Sequence, residues 1–146
     1  MHFQRETAAG IIDELLPLIQ MHSKEVSPFQ DIEMDPDFDL YLSADLAGHL
    51  RVYSARVEKS LQGYAVFFIR PHPHYRKSIQ AFQSLLFIHP DYRGSAMSFI
   101  SFCDSELRKE NVEVIHQTVT TRKDFSPVLK RLGYELSEAI FVRRLK

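Results

Sequence analysis

With 146 residues, 45% of them hydrophobic and 25% charged, the chain is long enough for one domain, residues 1–146, with a core of its own. A net charge of −1 gives no global attraction to nucleic acid or to an anionic membrane, and the lone Cys103 excludes an internal disulfide and any cysteine-built zinc finger. The start, Met1-His2-Phe3-Gln4-Arg5-Glu6, has no apolar signal core, and the longest apolar run, Ala65 to Ile69, is too short to cross a bilayer. The expectation is a cytoplasmic protein, a monomer or a homodimer.

Residues 2–6 read as a short first strand. Ala8, Ile11, Ile12, Leu15, Leu16 and Ile19 then recur at helical spacing behind Thr7, a suitable N-cap. Pro17 lies inside this pattern and is expected to kink or split the helix, because it lacks an N–H and crowds the carbonyl of Asp13. Ser23 to Met34 is polar and irregular and reads as a loop. Asp35-Pro36 reads as a helix start, with Phe38, Tyr41, Leu42 and Leu46 as its buried face and Gly48 as its stop.

Leu50 to Val57 alternates as a strand, Ser60 to Gly63 reads as a turn, and Tyr64 to Ile69 is a continuous apolar strand suited to the middle of a sheet. Pro71-His72-Pro73-His74 breaks that strand, and Ile79 to Ile88 is the next. A short loop leads to a helix over Ala96 to Glu110. Val112 to Val119 is a strand. Asp124 caps a helix over Phe125 to Leu132, with Pro127 in its first turn and Gly133 after it. Tyr134 to Leu145 is a last strand or a bent pair of strands. The order β-α-α-β-β-β-α-β-α-β implies an α+β fold, a mixed sheet with helices on both faces.

The loop His89-Pro90-Asp91-Tyr92-Arg93-Gly94-Ser95-Ala96-Met97 is the most informative stretch. A strand that ends in small residues at a helix start makes an anion site, since unpaired N–H groups and the helix dipole both favour negative charge. Arg93 adds a cation suited to phosphate. A phosphorylated ligand on Arg93, Gly94, Ser95, Ala96 and Met97 is therefore expected.

The element order and this loop resemble the Gcn5-related N-acetyltransferases, and more narrowly the short members found in phages and prophages. His89 to Gly94 is similar to their signature of strand, Pro, acidic, aromatic, Arg and Gly. Leu129-Lys130-Arg131-Leu132-Gly133-Tyr134 is similar to the end of their fourth helix. Counted from Arg93, the small positions of the loop are Ala96 and Ser98; counted back from the helix, they are Gly94 and Ala96. The resemblance implies an acyl-CoA N-acyltransferase fold whose fourth and fifth strands splay apart. It implies acetyl-CoA as acyl donor, with the pantetheine arm paired to backbone of Leu86, Phe87 and Ile88 and the pyrophosphate on Arg93 to Met97. It implies direct transfer of acetyl to an amine: a protein lysine, a protein N-terminus or a small amine. A backbone N–H near Leu85 or Leu86 would face the developing oxyanion.

Many family members carry a Glu base on the fourth strand, where this chain has Gln83 and Ser84. Ser84 is suited to orienting a water. His74, just before that strand, and His116, on the fifth, are the candidate bases, since imidazole titrates near neutral pH. The family's frequent Tyr acid is Leu129 here, which leaves Tyr92 or a water as proton donor. His72 and His74 lack an acidic neighbour, and no metal site is expected. Cys103 falls mid-helix and reads as a small core residue. Arg122, Lys123, Lys130 and Arg131 reach a cofactor's 3′-phosphate or form a solvated face. The alternative to an enzyme is a degenerate acetyltransferase fold that works as a protein-binding module, such as a phage protein engaging a host factor.

Overall fold

A computed structural model describes residues 1–146. Five strands form one sheet in the order β1-β2-β3-β4-β5, comprising β1 (His2–Glu6), β2 (Leu50–Val57), β3 (Ser60–His72), β4 (Tyr75–Ile88) and β5 (Val114–His116). The first three pairings are antiparallel and the last is parallel. The fold is therefore the expected α+β mixed sheet. β1 and β2 have the bounds read from the sequence.

Helices α1 (Ala8–Val26) and α2 (Phe38–Leu46) cover one face of the sheet, and α3 (Ala96–Lys109) covers the other. Alternation along the strands splits the core accordingly. Val52, Tyr64, Val66 and Phe87 meet Ile11, Leu15 and Ile19 of α1. Tyr53, Ala65, Phe67 and Ala81 meet Phe99, Cys103 and Leu107 of α3. Cys103 is buried as expected, and burial pushes its thiol up from its ordinary value.

α1 corrects two expectations. It is one helix through Pro17, and it extends to Val26, into the stretch read as a loop. Pro17 lies on the solvent side, where a lost bond to the Asp13 carbonyl is tolerated, while Ile11, Leu15, Leu18 and Ile19 hold the inner side to the sheet. Thr7 caps it as read, its hydroxyl accepting from the Gly10 N–H at 3.1 Å.

α2 begins later than expected, capped by Asp37, whose carboxylate accepts from the Leu40 N–H at 3.0 Å. It buries no residue, and Leu46, expected inside, is 91% exposed. Gly48 follows with φ +80.

The turn expected at Ser60–Gly63 is instead the tight pair Glu58-Lys59, both left-handed, with φ 48 and 72. β3 runs through Pro71 to His72, the proline standing beside a register shift that spares it a ladder bond. β4 starts earlier than read, at Tyr75.

β5 is only three residues long, not the eight expected over Val112 to Val119. α4 (Ser126–Arg131) ends before Gly133, whose φ is +91. The last expected strand, Tyr134 to Leu145, is absent. No residue beyond Tyr134 makes a backbone–backbone hydrogen bond, and Leu136, Ile140, Phe141, Val142 and Leu145 are exposed. Apolar, β-branched composition favours a strand only where an edge is there to pair with, and three-residue β5 offers little.

Left-handed backbone at two non-glycine residues costs roughly 1–2 kcal/mol each, and a two-residue hairpin of this kind favours Asn-Gly. Glu58→Asn with Lys59→Gly is expected to raise the unfolding free energy by about 1–2 kcal/mol, measured as a higher urea midpoint. An unchanged or lower midpoint would show that the turn carries no such strain.

Candidate functional site

The site begins where β4 loses a neighbour. β5 pairs with it only at Gln80↔Val114, Ala81↔Ile115 and Phe82↔His116. One residue later the strands are joined by a side chain alone, Gln83 Oε1 accepting from the Thr118 N–H at 2.8 Å. β4 continues to Ile88 with β3 on its other edge. From Gln83 to Ile88, then, its edge toward β5 has no strand partner. The expected splay of the fourth and fifth strands is present.

A bulge marks the same point. Val66 pairs with Leu85 and Phe67 with Gln83, so Ser84 is the extra residue. An inserted residue bends a strand and sharpens its twist, which turns β4 away from β5. Ser84 Oγ lies 2.8 Å from the Tyr41 hydroxyl of α2.

β4 runs into a 3-10 helix, Pro90–Ser95, whose cap is His89: its Nδ1 accepts from the Asp91 N–H at 3.2 Å. α3 follows at once. Ser95, its N-cap, makes no side-chain cap bond. Gly94 is exposed, and a Cβ built there meets nothing within 4 Å. Ser95, Ala96 and Met97 are half-buried behind it. The loop therefore presents a helix N-terminus with open space above it.

Arg93 is placed differently from a free cation. Its guanidinium donates twice to Glu25, at 2.7 Å to each carboxylate oxygen, and once to the Ile88 carbonyl at 3.0 Å. It also lies over the Phe87 ring at 5.8 Å. Beside it, His22 of α1 stacks on Phe87 at 5.1 Å, and its Nδ1 is 2.8 Å from the Tyr64 hydroxyl. Burial, reinforced by the nearby Arg93 charge and opposed by Glu25, holds His22 below its ordinary pKa. These contacts fasten the last turns of α1 to the loop.

Of the two candidate bases, His74 lies just before the start of β4 and His116 opposite its middle. His116 is half-buried, stacked on Phe82 at 4.5 Å and 4°, with Nε2 2.8 Å from Gln80 Oε1. His74 is exposed on the β3–β4 turn, its N–H donating to His72 Nδ1 at 3.0 Å. His72 stands between them, 5.2 Å from His74 and 6.3 Å from His116, ring to ring. His116 is opposite Phe82, two positions before Ser84.

On the α3 side, the Tyr134 hydroxyl donates to Asp104 Oδ1 at 2.6 Å and ties the end of α4 to α3. Burial raises the pKa of Asp104. Gln117, just past β5, has both side-chain amide atoms buried without a hydrogen bond of normal geometry. Leu129 is buried, and Arg122, Lys123, Lys130 and Arg131 are exposed.

Sequence reading missed Tyr41, Glu25, His22 and Gln117. Tyr41 reads from the sequence only as part of a packing face, and Glu25 lies in a stretch that reads as a loop. The i, i+3 spacing of His22 and Glu25 on one helix face is the signal that a longer α1 would have exposed.

Two measurements check this geometry. A double-mutant cycle on Arg93→Ala and Glu25→Ala is expected to give a coupling of about 1–2 kcal/mol, because a half-buried charged pair loses more than an exposed one. A coupling near zero would make the clamp incidental. For His22, the unfolded ring protonates near its usual value of about 6.5. The folded ring protonates only at lower pH, so the stability it contributes is present above about pH 6.5 and is lost as pH falls through the folded pKa. The drop in melting temperature between about pH 7.5 and 5.5 should shrink in His22→Gln; an equal drop in both proteins would assign it to other groups.

No protein-family model matches the sequence, and no curated protein does. Solved structures do match. A ribosomal-protein-alanine N-acetyltransferase from Brucella melitensis biovar Abortus 2308 is similar at TM-score 0.72 and 15% identity, over 99% of this chain and 100% of that one. A predicted acetyltransferase from Clostridium acetobutylicum with acetyl-CoA is similar at TM-score 0.70 and 15% identity, over 99% and 96%. An aminoglycoside acetyltransferase from an uncultured soil metagenomic sample, in complex with sisomicin, is similar at TM-score 0.74 and 13% identity, over 99% and 96%. The chain thus has the acyl-CoA N-acyltransferase fold along nearly its whole length.

Proposed function

We propose that the chain is an N-acetyltransferase that takes acetyl from acetyl-CoA and passes it directly to an amine. The observation that carries this reading is the parting of β4 from β5 after Phe82, which leaves a free strand edge leading to the uncapped start of α3. A free edge suits an extended amide-bearing arm, and a helix N-terminus suits a phosphate. The residues fit such a donor: Gly94 leaves space above the loop, Ser95 makes no cap bond, and the buried Gln117 amide has no hydrogen bond of normal geometry.

On this reading the backbone of Leu86, Phe87 and Ile88 pairs with the pantetheine arm, and the loop Arg93, Gly94, Ser95, Ala96 and Met97 holds the pyrophosphate, through N–H groups other than that of Ala96, which donates to the Arg93 carbonyl. Arg93 serves through its backbone and by clamping α1, since Glu25 occupies its side chain. Acetyl-CoA, when bound, supplies an acetyl group activated as a thioester. In the exchange a C–N bond forms and a C–S bond breaks; of the two protons the ammonium gives up, one ends on the thiol and one is released.

The chain's own task is to move that proton. An alkylamine with a pKa near about 10.4 arrives charged. With Gln80 Oε1 as acceptor, His116 carries its proton on Nε2, and Nδ1 is the free basic nitrogen. His74 is the other candidate base, and Ser84, held by Tyr41, orients a water at the bulge. Tyr92 or a water protonates the leaving sulfur, because Leu129 has no proton to give.

A second reading, a protein-binding module without catalysis, is favoured by one observation: the exposed apolar side chains from Leu136 to Leu145. Calorimetry with acetyl-CoA separates the two. Binding that Gly94→Pro weakens at least tenfold supports the enzyme, since proline removes a loop N–H. No binding by the parent protein would overturn it. His74→Gln with His116→Gln should lower the transfer rate by about 10²–10⁴-fold with acetyl-CoA binding retained. Full activity in that variant would leave solvent as the proton acceptor.

A further inference from the structure

A cavity of about 450 Å³ lies between α1, α2 and the sheet. This volume is typical of small-molecule sites, which run from about 300 to 1,000 Å³. Its walls are mostly hydrocarbon, supplied by Ile11, Leu15 and Ile19 of α1, Phe38 of α2, and Val66 and Leu85 of the sheet. It exists because α2 packs against the core only in part. Its Tyr41, Leu42 and Ala44 are half-buried against the α1–sheet core, while Phe38 and Leu40 line the cavity. An apolar helix face only partly packed against a neighbouring apolar wall leaves room for an apolar body.

The mouth has a definite charge. The segment entering α2 carries Asp31, Glu33, Asp35, Asp37 and Asp39 with no basic residue among them. Asp31 is paired with Arg144, and Asp37 caps α2. Asp35 lines the cavity and takes part in no ion pair. A cation is drawn to such a mouth, and an anion is repelled.

The inner end meets the site already described. Tyr41 and Leu85 line the cavity, and the Tyr41 hydroxyl is bonded to Ser84 at the bulge where β4 leaves β5. A ligand in the cavity therefore lies beside the place where acetyl transfer would occur.

We propose that the acceptor is a small monoamine with an apolar body, drawn in as a cation by the acidic mouth and then seated in this cavity with its nitrogen toward the Tyr41–Ser84 pair. This rests on the acetyl-transfer reading and narrows it. Polyamines and aminosugars are disfavoured, because an apolar wall leaves their further polar groups without hydrogen bonds.

The test uses the full chain with 2-phenylethylamine as probe, spermidine as a polycation of several amines, and 2-phenylethanol as the uncharged analogue. Calorimetry without acetyl-CoA reads the cavity alone, and thiol release with acetyl-CoA reads transfer. Phenylethylamine is expected to bind at least tenfold more tightly than phenylethanol, and to be acetylated with a kcat/KM at least tenfold above that of spermidine. Ile12→Trp, which fills the cavity from α1, should raise the KM for phenylethylamine at least tenfold with the Kd for acetyl-CoA unchanged. Asp35→Asn, a surface change that leaves the core intact, should raise the same KM and narrow the preference over phenylethanol. Absence of phenylethylamine binding would overturn the proposal, as would an unchanged KM in both variants. So would better acetylation of spermidine, an aminoglycoside or a peptide N-terminus. If phenylethylamine binds and acetyl-CoA does not, the transfer reading fails and the cavity's preference for apolar cations stands.

Discussion

β4 has strand partners on both edges only from Gln80 to Phe82. Before that stretch it is half of a hairpin; after it, it is the rim of an opening. The change is enforced locally. Ser84 is inserted as a bulge, and the Gln83 side chain spends its carbonyl on the Thr118 N–H, so β5 is tethered without being paired. A buried strand edge with unpaired N–H and C=O groups is expensive unless something else meets them. The open edge of β4 and the Gln117 amide, which has no hydrogen bond of normal geometry, are thus two forms of one unmet demand for hydrogen bonds.

The charged contacts divide by burial. Arg93 and Glu25 are about a quarter to a third exposed and joined by two bonds, and they hold α1 against the loop that follows β4. Arg56 does similar work at the other end of α1, bonding Glu6 of β1 and Glu14 of α1 together. Arg144 with Asp31 has comparable distances but lies on the surface, where water and salt screen the pair. Arg93 and Arg56 therefore fasten α1 along one flank of its apolar stripe, since Glu14 and Glu25 lie about three turns apart on the same side of the helix. α2, by contrast, is held by half-buried Tyr41, Leu42 and Ala44, by the Asp45 carboxylate accepting from the Ala8 N–H, and by the Tyr41–Ser84 bond. This contrast in anchoring is why the gap opens on the α2 side of α1.

Much of the fold was legible because local chemistry and tertiary context agreed. Thr7, Gly48 and Gly133 mark element ends, and the run Tyr64 to Ile69 sits mid-sheet as its unbroken apolarity requires. The failures share one cause, a local signal overruled by packing. Pro17 did not split α1 because the inner face of that helix is fully used. Glu58 and Lys59 accept left-handed backbone because the hairpin's register demands it. Ile140, Phe141 and Val142 have the composition of a strand and no edge to join. At the site, the loop and the splay were readable from Arg93, Gly94 and the spacing of strands. The Tyr41–Ser84 and Glu25–Arg93 bonds were not, since each joins residues 43 or 68 positions apart and neither has a sequence pattern.

The chain end after Tyr134 has a further consequence. Its amides have no backbone acceptors, so they exchange hydrogen with solvent as they would in an unfolded peptide, while those of β3, paired on both sides, exchange only when the sheet opens. Arg143 and Arg144 lie in this exposed stretch without regular structure, in the form a trypsin-like protease accepts. Cleavage after Arg143 therefore removes Arg144 and releases Asp31, which adds one uncompensated negative charge at the mouth beneath α2 without disturbing a single strand.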